Sequence, residues 1–144
     1  MYSNIHGVVG AVITSTTYLI TKDPTVSILV GGFLAFLSHD LVDILGEKGY
    51  GSKRAVLLWE SIPFAIFLFM ISFSEHWELM LLGHVLGNGM DLIDKKLYLS
   101  VFMSKKYPPT YHFRCHRRSR DKIIQFTQQQ TKNITIIMSI VFVI

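Results

Sequence analysis

Long apolar stretches constrain the fold of this chain more than any other feature of its sequence. Of its 144 residues, 50% are hydrophobic and only 17% are charged, and the mean hydropathy is +0.39. A helix needs about 20 consecutive apolar residues to cross a bilayer, and the apolar blocks approach that length. The pattern therefore predicts an all-α integral membrane protein, a bundle of five helices in a single domain. The predicted helices cover residues 6–21, 25–45, 55–73, 77–102 and 122–144.

The last predicted helix has two interpretations. Its apolar part, residues 134–144, is too short to cross a hydrocarbon core of about 30 Å, and residues 128–133 are polar. The whole stretch spans if its glutamines face other helices, and we expect this arrangement. The alternative is a bundle of four spans with one helix lying at the interface.

Basic residues are distributed unevenly among the connections between these helices. Residues 46–54 and 103–122 are rich in Lys and Arg, whereas the opposite connections carry Lys22 alone beside acidic residues. Lys and Arg collect on the cytoplasmic side of membrane proteins. The sequence thus predicts a multipass protein of the cell membrane with a cytoplasmic N-terminus and the lipid bilayer as its partner. No nucleic-acid recognition module accompanies the basic residues, so nucleic acid is not an expected partner.

The end of the second predicted helix carries the clearest chemical signal. His39 and Asp43 are four residues apart, so they share one helix face, and Asp40 lies beside them. An imidazole and carboxylates one turn apart suit a divalent metal, zinc first, with manganese or iron as alternatives. The competing interpretation is a salt-bridge network between these carboxylates and the basic loop that follows.

Other ionisable residues converge on the same depth under the predicted topology. Ionisable groups at membrane depth are costly, so their convergence indicates a functional site. A metal there would activate water, and a nearby carboxylate would accept its proton. The predicted metal ligands are His6, His39, Asp43, Asp91, His112 and His116, and the predicted catalytic carboxylates are Asp40, Asp94 and Glu60.

Simpler structural roles stay open for several of these residues. Asp91 precedes Lys95 by four residues, a spacing that favours an ion pair on a helix. Glu60 fits a metal ligand, a base or a buried hydrogen-bond partner equally well. His84 is expected to be a packed, hydrogen-bonded histidine rather than a ligand. The arginines within residues 103–122 act either as topology signals near anionic lipid or as groups that bind a phosphate.

Four short motifs occur in an order that is found in a known family. They are His6-Gly7 with Gly10-Ala11, the S-H-x-x-x-D end of Gly31–Asp43, the aspartates Asp91 and Asp94 after Gly87, and His112 with His116 before Gln125. On these motifs the chain resembles small multipass bacterial membrane proteins related to the membrane-bound metal-dependent hydrolase (YdjM-like) family. It departs from that family in lacking an H-R-G-x-T-H motif. The resemblance implies a metal site more firmly than it implies a reaction.

Two functions are expected from these observations. The first is a membrane-embedded, metal-dependent hydrolase whose His/Asp site lies at the cytoplasmic interface and acts on a phosphoester or a lipid headgroup. The second is a non-catalytic structural or assembly subunit of a membrane complex, present in a homo- or hetero-oligomer. Loss of bound metal on substitution of His39 would separate the two.

Overall fold

The computed structural model describes residues 3–43, 45–47, 53–92 and 124–141. These residues are mainly helical. A five-residue π-helix, Ser27–Gly31, joins α2 to α3, and two three-residue strands pair in parallel. The elements are α1 (Ser3–Thr21), α2 (Pro24–Val26), α3 (Gly32–Asp43), β1 (Leu45–Glu47), α4 (Lys53–Ile71), α5 (Trp77–Gly87), α6 (Gly89–Leu92), β2 (Ile124–Phe126) and α7 (Gln128–Val141).

The prediction of an integral membrane bundle is wrong. Within the described ranges, no helix combines the length and the apolar character needed to cross a membrane. Residues 24–43 are helical throughout, with a five-residue π-helical stretch between α-helical stretches of 3 and 12 residues. Helix α5 has 11 residues, which is about 16 Å of helix. The cytoplasmic orientation depended on membrane spans and stays a prediction.

The two longest helices explain why hydropathy was misleading. Both α1 and α4 have 19 residues. Helix α1 carries Asn, His, Ser and Thr side chains among its apolar ones, while α4 begins at Lys53-Arg54 and contains Glu60. The predicted bounds of both helices, 6–21 and 55–73, lie within three residues of the observed ones. Their polar and charged residues, and not their bounds, distinguish them from membrane spans.

Helix α1 is the element on which the others pack. It contacts α3, α4, α5 and α7, and its contact with α5 is the most extensive. Glycines on both helices make this contact close. A Cβ on Gly10 would overlap the carbonyl oxygen of Gly83, and a Cβ on Gly83 would overlap the Thr14 hydroxyl. Without side chains at these positions, the two backbones approach each other directly.

Local signals reverse the chain between α1 and α3. Lys22 has a φ of 54°, the left-handed conformation that ends many helices. The Asp23 carboxylate then accepts hydrogen bonds from the backbone N–H groups of Thr25 (2.7 Å) and Val26 (3.2 Å), while Pro24 occupies the first helical position. The chain therefore turns at once and brings α3 back along α1.

The interior of the described structure is partly polar. An apolar cluster forms around Val8, Phe67 and Met80. Beside it, nine polar side chains are buried, while large apolar side chains such as Leu41 (69% exposed) and Phe73 (74%) lie on the outside. The buried polar residues are Asn4, His6, Thr14, Ser27, Ser38, His39, His84, Thr135 and Ser139.

Candidate metal centre

Two histidines from different helices lie face to face in the interior. His6 belongs to the first part of α1, and His39 belongs to the second half of α3. Their imidazole rings stack, with centroids 3.9 Å apart and ring planes 18° from parallel. The two side chains are 1% and 0% exposed. Folding thus brings two ligand-type side chains into one buried site.

The orientation of His39 is set by a backbone carbonyl. Its Nδ1 lies 2.8 Å from the carbonyl oxygen of Gly87. Because a carbonyl oxygen can only accept, Nδ1 carries the hydrogen and donates it. In the neutral ring, Nε2 is then the nitrogen with the lone pair. Metal-binding histidines are generally held in this way, with the other ring nitrogen donating to a carbonyl or carboxylate.

Gly87 connects both histidines to α5. A Cβ at this position would overlap the His6 carbonyl oxygen and lie 3.3 Å from the Cα of Gly10. The absence of a side chain therefore lets the end of α5 rest against the first turns of α1. In that position the Gly87 carbonyl group reaches His39.

A hydrogen-bond network surrounds Asn4, which is 2% exposed and lies two residues before His6. The Asn4 Nδ2 donates to the Ser139 hydroxyl (2.8 Å), and its Oδ1 lies 3.1 Å from Nε2 of His84. The backbone N–H of Asn4 donates to Oε2 of Glu60 (3.0 Å). Asn4 therefore links the start of α1 to α4, α5 and α7.

His84 fills the space beside this network. Its ring lies 4.5 Å from the ring of Phe67 and 5.1 Å from that of Phe64, measured between centroids. A Cβ on Gly7 would overlap the His84 ring. Burial lowers the pKa of His84 from 6.5 to about 4, because the charged form loses its hydration. His84 is therefore neutral at pH 7, and it packs and hydrogen bonds as the sequence suggested.

The structure describes some of the remaining predicted site residues and not others. Glu60 accepts the hydrogen bond of Asn4, which is one of the three roles left open for it. For Asp40 and Asp43 in α3 and Asp91 in α6, the backbone is described but the side chains are not. Asp94, His112 and His116 lie outside the described residues. Over the described ranges, no group of three or more His, Cys, Asp or Glu side chains is placed to hold a metal.

The stacked histidines provide two ligand-type side chains side by side, with centroids 3.9 Å apart. An imidazole binds a metal through a lone pair that lies in its ring plane. Because the two planes are only 18° from parallel, the rings would have to tilt towards each other for both to bind one ion. Further ligands would have to come from side chains that the structure does not describe.

Sequence reasoning missed two residues that build this site. Asn4 is an isolated polar residue near the start of the chain, and nothing in its neighbourhood marks it. Gly87 was noted only as part of a glycine motif. The glycine spacing was the available signal, because Gly7 and Gly10 in one helix and Gly83 and Gly87 in another indicate close helix contact.

No protein-family model, curated protein or solved structure matches this chain. The resemblance to metal-dependent hydrolases therefore stays a prediction from short motifs. The function has to be argued from the geometry of the site.

Proposed function

We propose that this protein is a metal-dependent hydrolase in which His6 and His39 bind a divalent metal, zinc first. One observation carries the proposal. Two buried imidazoles from different helices are stacked, and one of them is oriented by the carbonyl group of Gly87. Ligand-type side chains that meet in an interior and are held by backbone groups are typical of metal sites.

Two further predicted ligands support the proposal through their positions in the chain. Asp43 follows His39 by one helical turn on α3. Asp91 lies in α6, which packs against α3. Only Asn88 separates Gly87, at the end of α5, from the start of α6. These two carboxylates, together with His112 and His116 from the segment outside the described residues, are proposed to complete the ligand set.

The proposed chemistry is hydrolysis of a phosphoester, including a lipid headgroup. A divalent metal, when bound, supplies the Lewis acidity that activates water and polarises the substrate. Asp40 or Asp94 would accept the proton, whereas Glu60 is already engaged by Asn4. Arginine forks match phosphate oxygens. The segment 103–122 carries Arg114, Arg117, Arg118 and Arg120.

Elemental analysis of the purified protein tests metal binding. Wild-type protein dialysed against zinc should retain it, and His39→Ala and Asp43→Ala should lose most of it. His76→Ala is the matched control, because His76 precedes the other end of α5 and packs against Tyr18 (centroids 4.3 Å, ring planes 58° apart). Metal-free wild type after dialysis, or equal zinc retention in His39→Ala, would overturn the proposal.

An assay with two substrates tests the reaction. Hydrolysis of bis(p-nitrophenyl) phosphate and of a lysophospholipid is measured with zinc and after chelation. Activity that requires zinc and is lost in His39→Ala supports the hydrolase assignment. Zinc binding without hydrolysis of either substrate would restrict the proposal to a metal site.

A non-catalytic assembly subunit is the second candidate, favoured by the outer surface. Phe33, Leu41, Phe69 and Phe73 are each more than 60% exposed, and exposed apolar patches are typical of surfaces that bind partners. This candidate predicts a homo- or hetero-oligomer that Phe33→Ser with Leu41→Ser disrupts, measured by light scattering. It also predicts that His39→Ala changes stability without removing any metal.

A further inference from the structure

We propose that Asn4 is a positioning residue, which fixes the start of α1 so that the His6 ring stays stacked on His39. The inference rests on the proposed function, in that His6 is taken as a metal ligand. It goes beyond that function because Asn4 is assigned a role in setting the geometry of the site. Four observations carry it.

Asn4 joins its own helix to three others. Its side chain bonds to α7 through Ser139 and to α5 through His84, and its backbone N–H bonds to Glu60 in α4. Asn4 and Ser139 are 135 residues apart in the chain. The first turn of α1 is therefore held from three directions at a single residue.

The direction of each hydrogen bond in this network is determined. The Ser139 hydroxyl donates its hydrogen to the Thr135 carbonyl oxygen (2.8 Å), so towards Asn4 it can only accept. The amide nitrogen of Asn4 must then face Ser139, and its oxygen must face His84. His84 therefore carries its hydrogen on Nε2. A rotated amide would lose the bond to Ser139.

The network acts on His6 through the backbone. Two residues along a helix correspond to roughly 200° of rotation, so Asn4 and His6 face nearly opposite sides of α1. Fixing Asn4 against α5 and α7 sets both the rotation and the position of the first turn. His6, on the other side of that turn, is thereby directed towards α3.

The packing around His6 makes its position sensitive to small shifts. The His6 carbonyl group lies against Gly87, and a Cβ on Gly7 would overlap His84. A rotation of the first turn would change both contacts together with the ring stack. Residues that orient metal ligands typically change metal affinity 10- to 100-fold when they are replaced.

Three variants test the proposal. Asn4→Ala removes both side-chain bonds of the network, and Ser139→Ala removes one of them. Thr14→Ala is the matched control. Thr14 is also buried on α1, and its hydroxyl lies 2.9 Å from the Leu79 carbonyl oxygen of α5. It lies ten residues, or about 15 Å of helix, beyond Asn4.

Two measurements are made on each variant. The first is the dissociation constant for zinc, with the absorption spectrum of the cobalt-substituted protein as a report on ligand geometry. The second is the nuclear Overhauser effect between the His6 and His39 ring protons in metal-free protein. Asn4→Ala should raise the zinc Kd about 10- to 100-fold, change the cobalt spectrum and weaken the ring contact. Ser139→Ala should do so to a smaller extent, and Thr14→Ala should leave all three readouts as in the wild type.

The outcomes separate this inference from the proposed function. Unchanged ring contact and unchanged zinc Kd in Asn4→Ala would overturn the positioning role, and so would equal changes in Thr14→Ala. If the wild type binds no zinc, the metal function fails, and the ring contact alone decides the role of Asn4. Should Asn4→Ala fail to fold, the same two measurements on Ser139→Ala decide it.

Discussion

Two layers of polar side chains along α1 join this helix to neighbouring segments through different chemical groups. The histidine layer, at the start of α1, consists of Asn4, His6, His39 and His84. The hydroxyl layer, about two turns further on, consists of the buried Thr14 and Ser27 and the half-buried Thr17. Both layers join α1 to neighbouring segments through close contacts at glycine, with Gly87 beside the first and Gly31 beside the second.

The hydroxyl layer directs its hydrogen bonds to backbone carbonyl groups. The Ser27 hydroxyl donates to the Thr14 carbonyl oxygen (2.6 Å), and the Thr17 hydroxyl donates to that of Ile13 (2.8 Å). The Ser27 hydroxyl thus joins the π-helical segment to α1, whereas the Thr17 hydroxyl bonds within α1. Imidazole differs because His39 binds Gly87 through one nitrogen and has a second nitrogen across the ring. Under the proposed function, the histidine layer binds a metal through its imidazoles, whereas the hydroxyl layer serves packing alone.

Gly87→Ala should have the largest effect, because it disturbs the histidine layer directly. The added Cβ would overlap the His6 carbonyl oxygen, which belongs to the backbone and cannot rotate away. We expect a loss of about 3 kcal/mol or more in the free energy of unfolding, measured by urea denaturation. Gly32→Ala is the control, since its Cβ would meet only the end of the Leu86 side chain, at 2.7 Å. Equal stability of the two variants would show that the close contact at Gly87 is not required.

His39→Asn should separate the two roles of the histidine ring. The Asn amide nitrogen takes the place of Nδ1 and keeps the donor to the Gly87 carbonyl group, but nothing replaces Nε2. We expect a folded protein whose zinc Kd rises about 100-fold or more, measured by competition with a chromophoric chelator. Retained zinc affinity would mean that His39 supports the fold without binding metal.

Acidification should destabilise the protein through His84. Its folded-state pKa is about 4, below the ordinary value of 6.5, so between these values the unfolded chain binds the proton more readily. Stability is therefore present above pH 6.5 and falls as the pH decreases towards 4. From pH 7 to pH 5 we expect a loss of about 2 kcal/mol from this group. His84→Gln retains a donor towards Asn4 without titrating, so its unfolding free energy should vary less over this range; an identical pH dependence would exclude His84 as the cause.

Thr14→Val should have the smallest effect and should leave the histidine layer intact. The substitution keeps the shape of the side chain but removes the bond to the Leu79 carbonyl oxygen. We expect a loss of about 1 kcal/mol in unfolding free energy, with the zinc Kd unchanged. A change in zinc affinity as large as that of His39→Asn would show that the two layers do not act independently.

Local patterns predicted part of the site. His39 and Asp43 were predicted together because helical periodicity places residues four apart on one face; the structure describes the side chain of His39, and Asp43 stays a prediction. His6 was named as a ligand, and the structure brings its ring onto that of His39. The link from Asn4 to Ser139 could not be found in this way, since no pattern in one chain segment encodes a contact 135 residues away. The membrane bundle was wrong because, over the described ranges, no helix is both long and apolar enough to cross a membrane.

The sequence by itself determined which stretches favour helix, which faces carry imidazole and carboxylate groups, and where glycine permits close approach. These properties depend on neighbours within a few residues, so local physical chemistry is enough to infer them. The tertiary structure alone decided that α1 meets α5 through glycines, that Gly87 orients His39, and that Asn4 is held from three helices. Those contacts join residues far apart in the chain, so they contribute to the free energy of folding only once the helices have packed together.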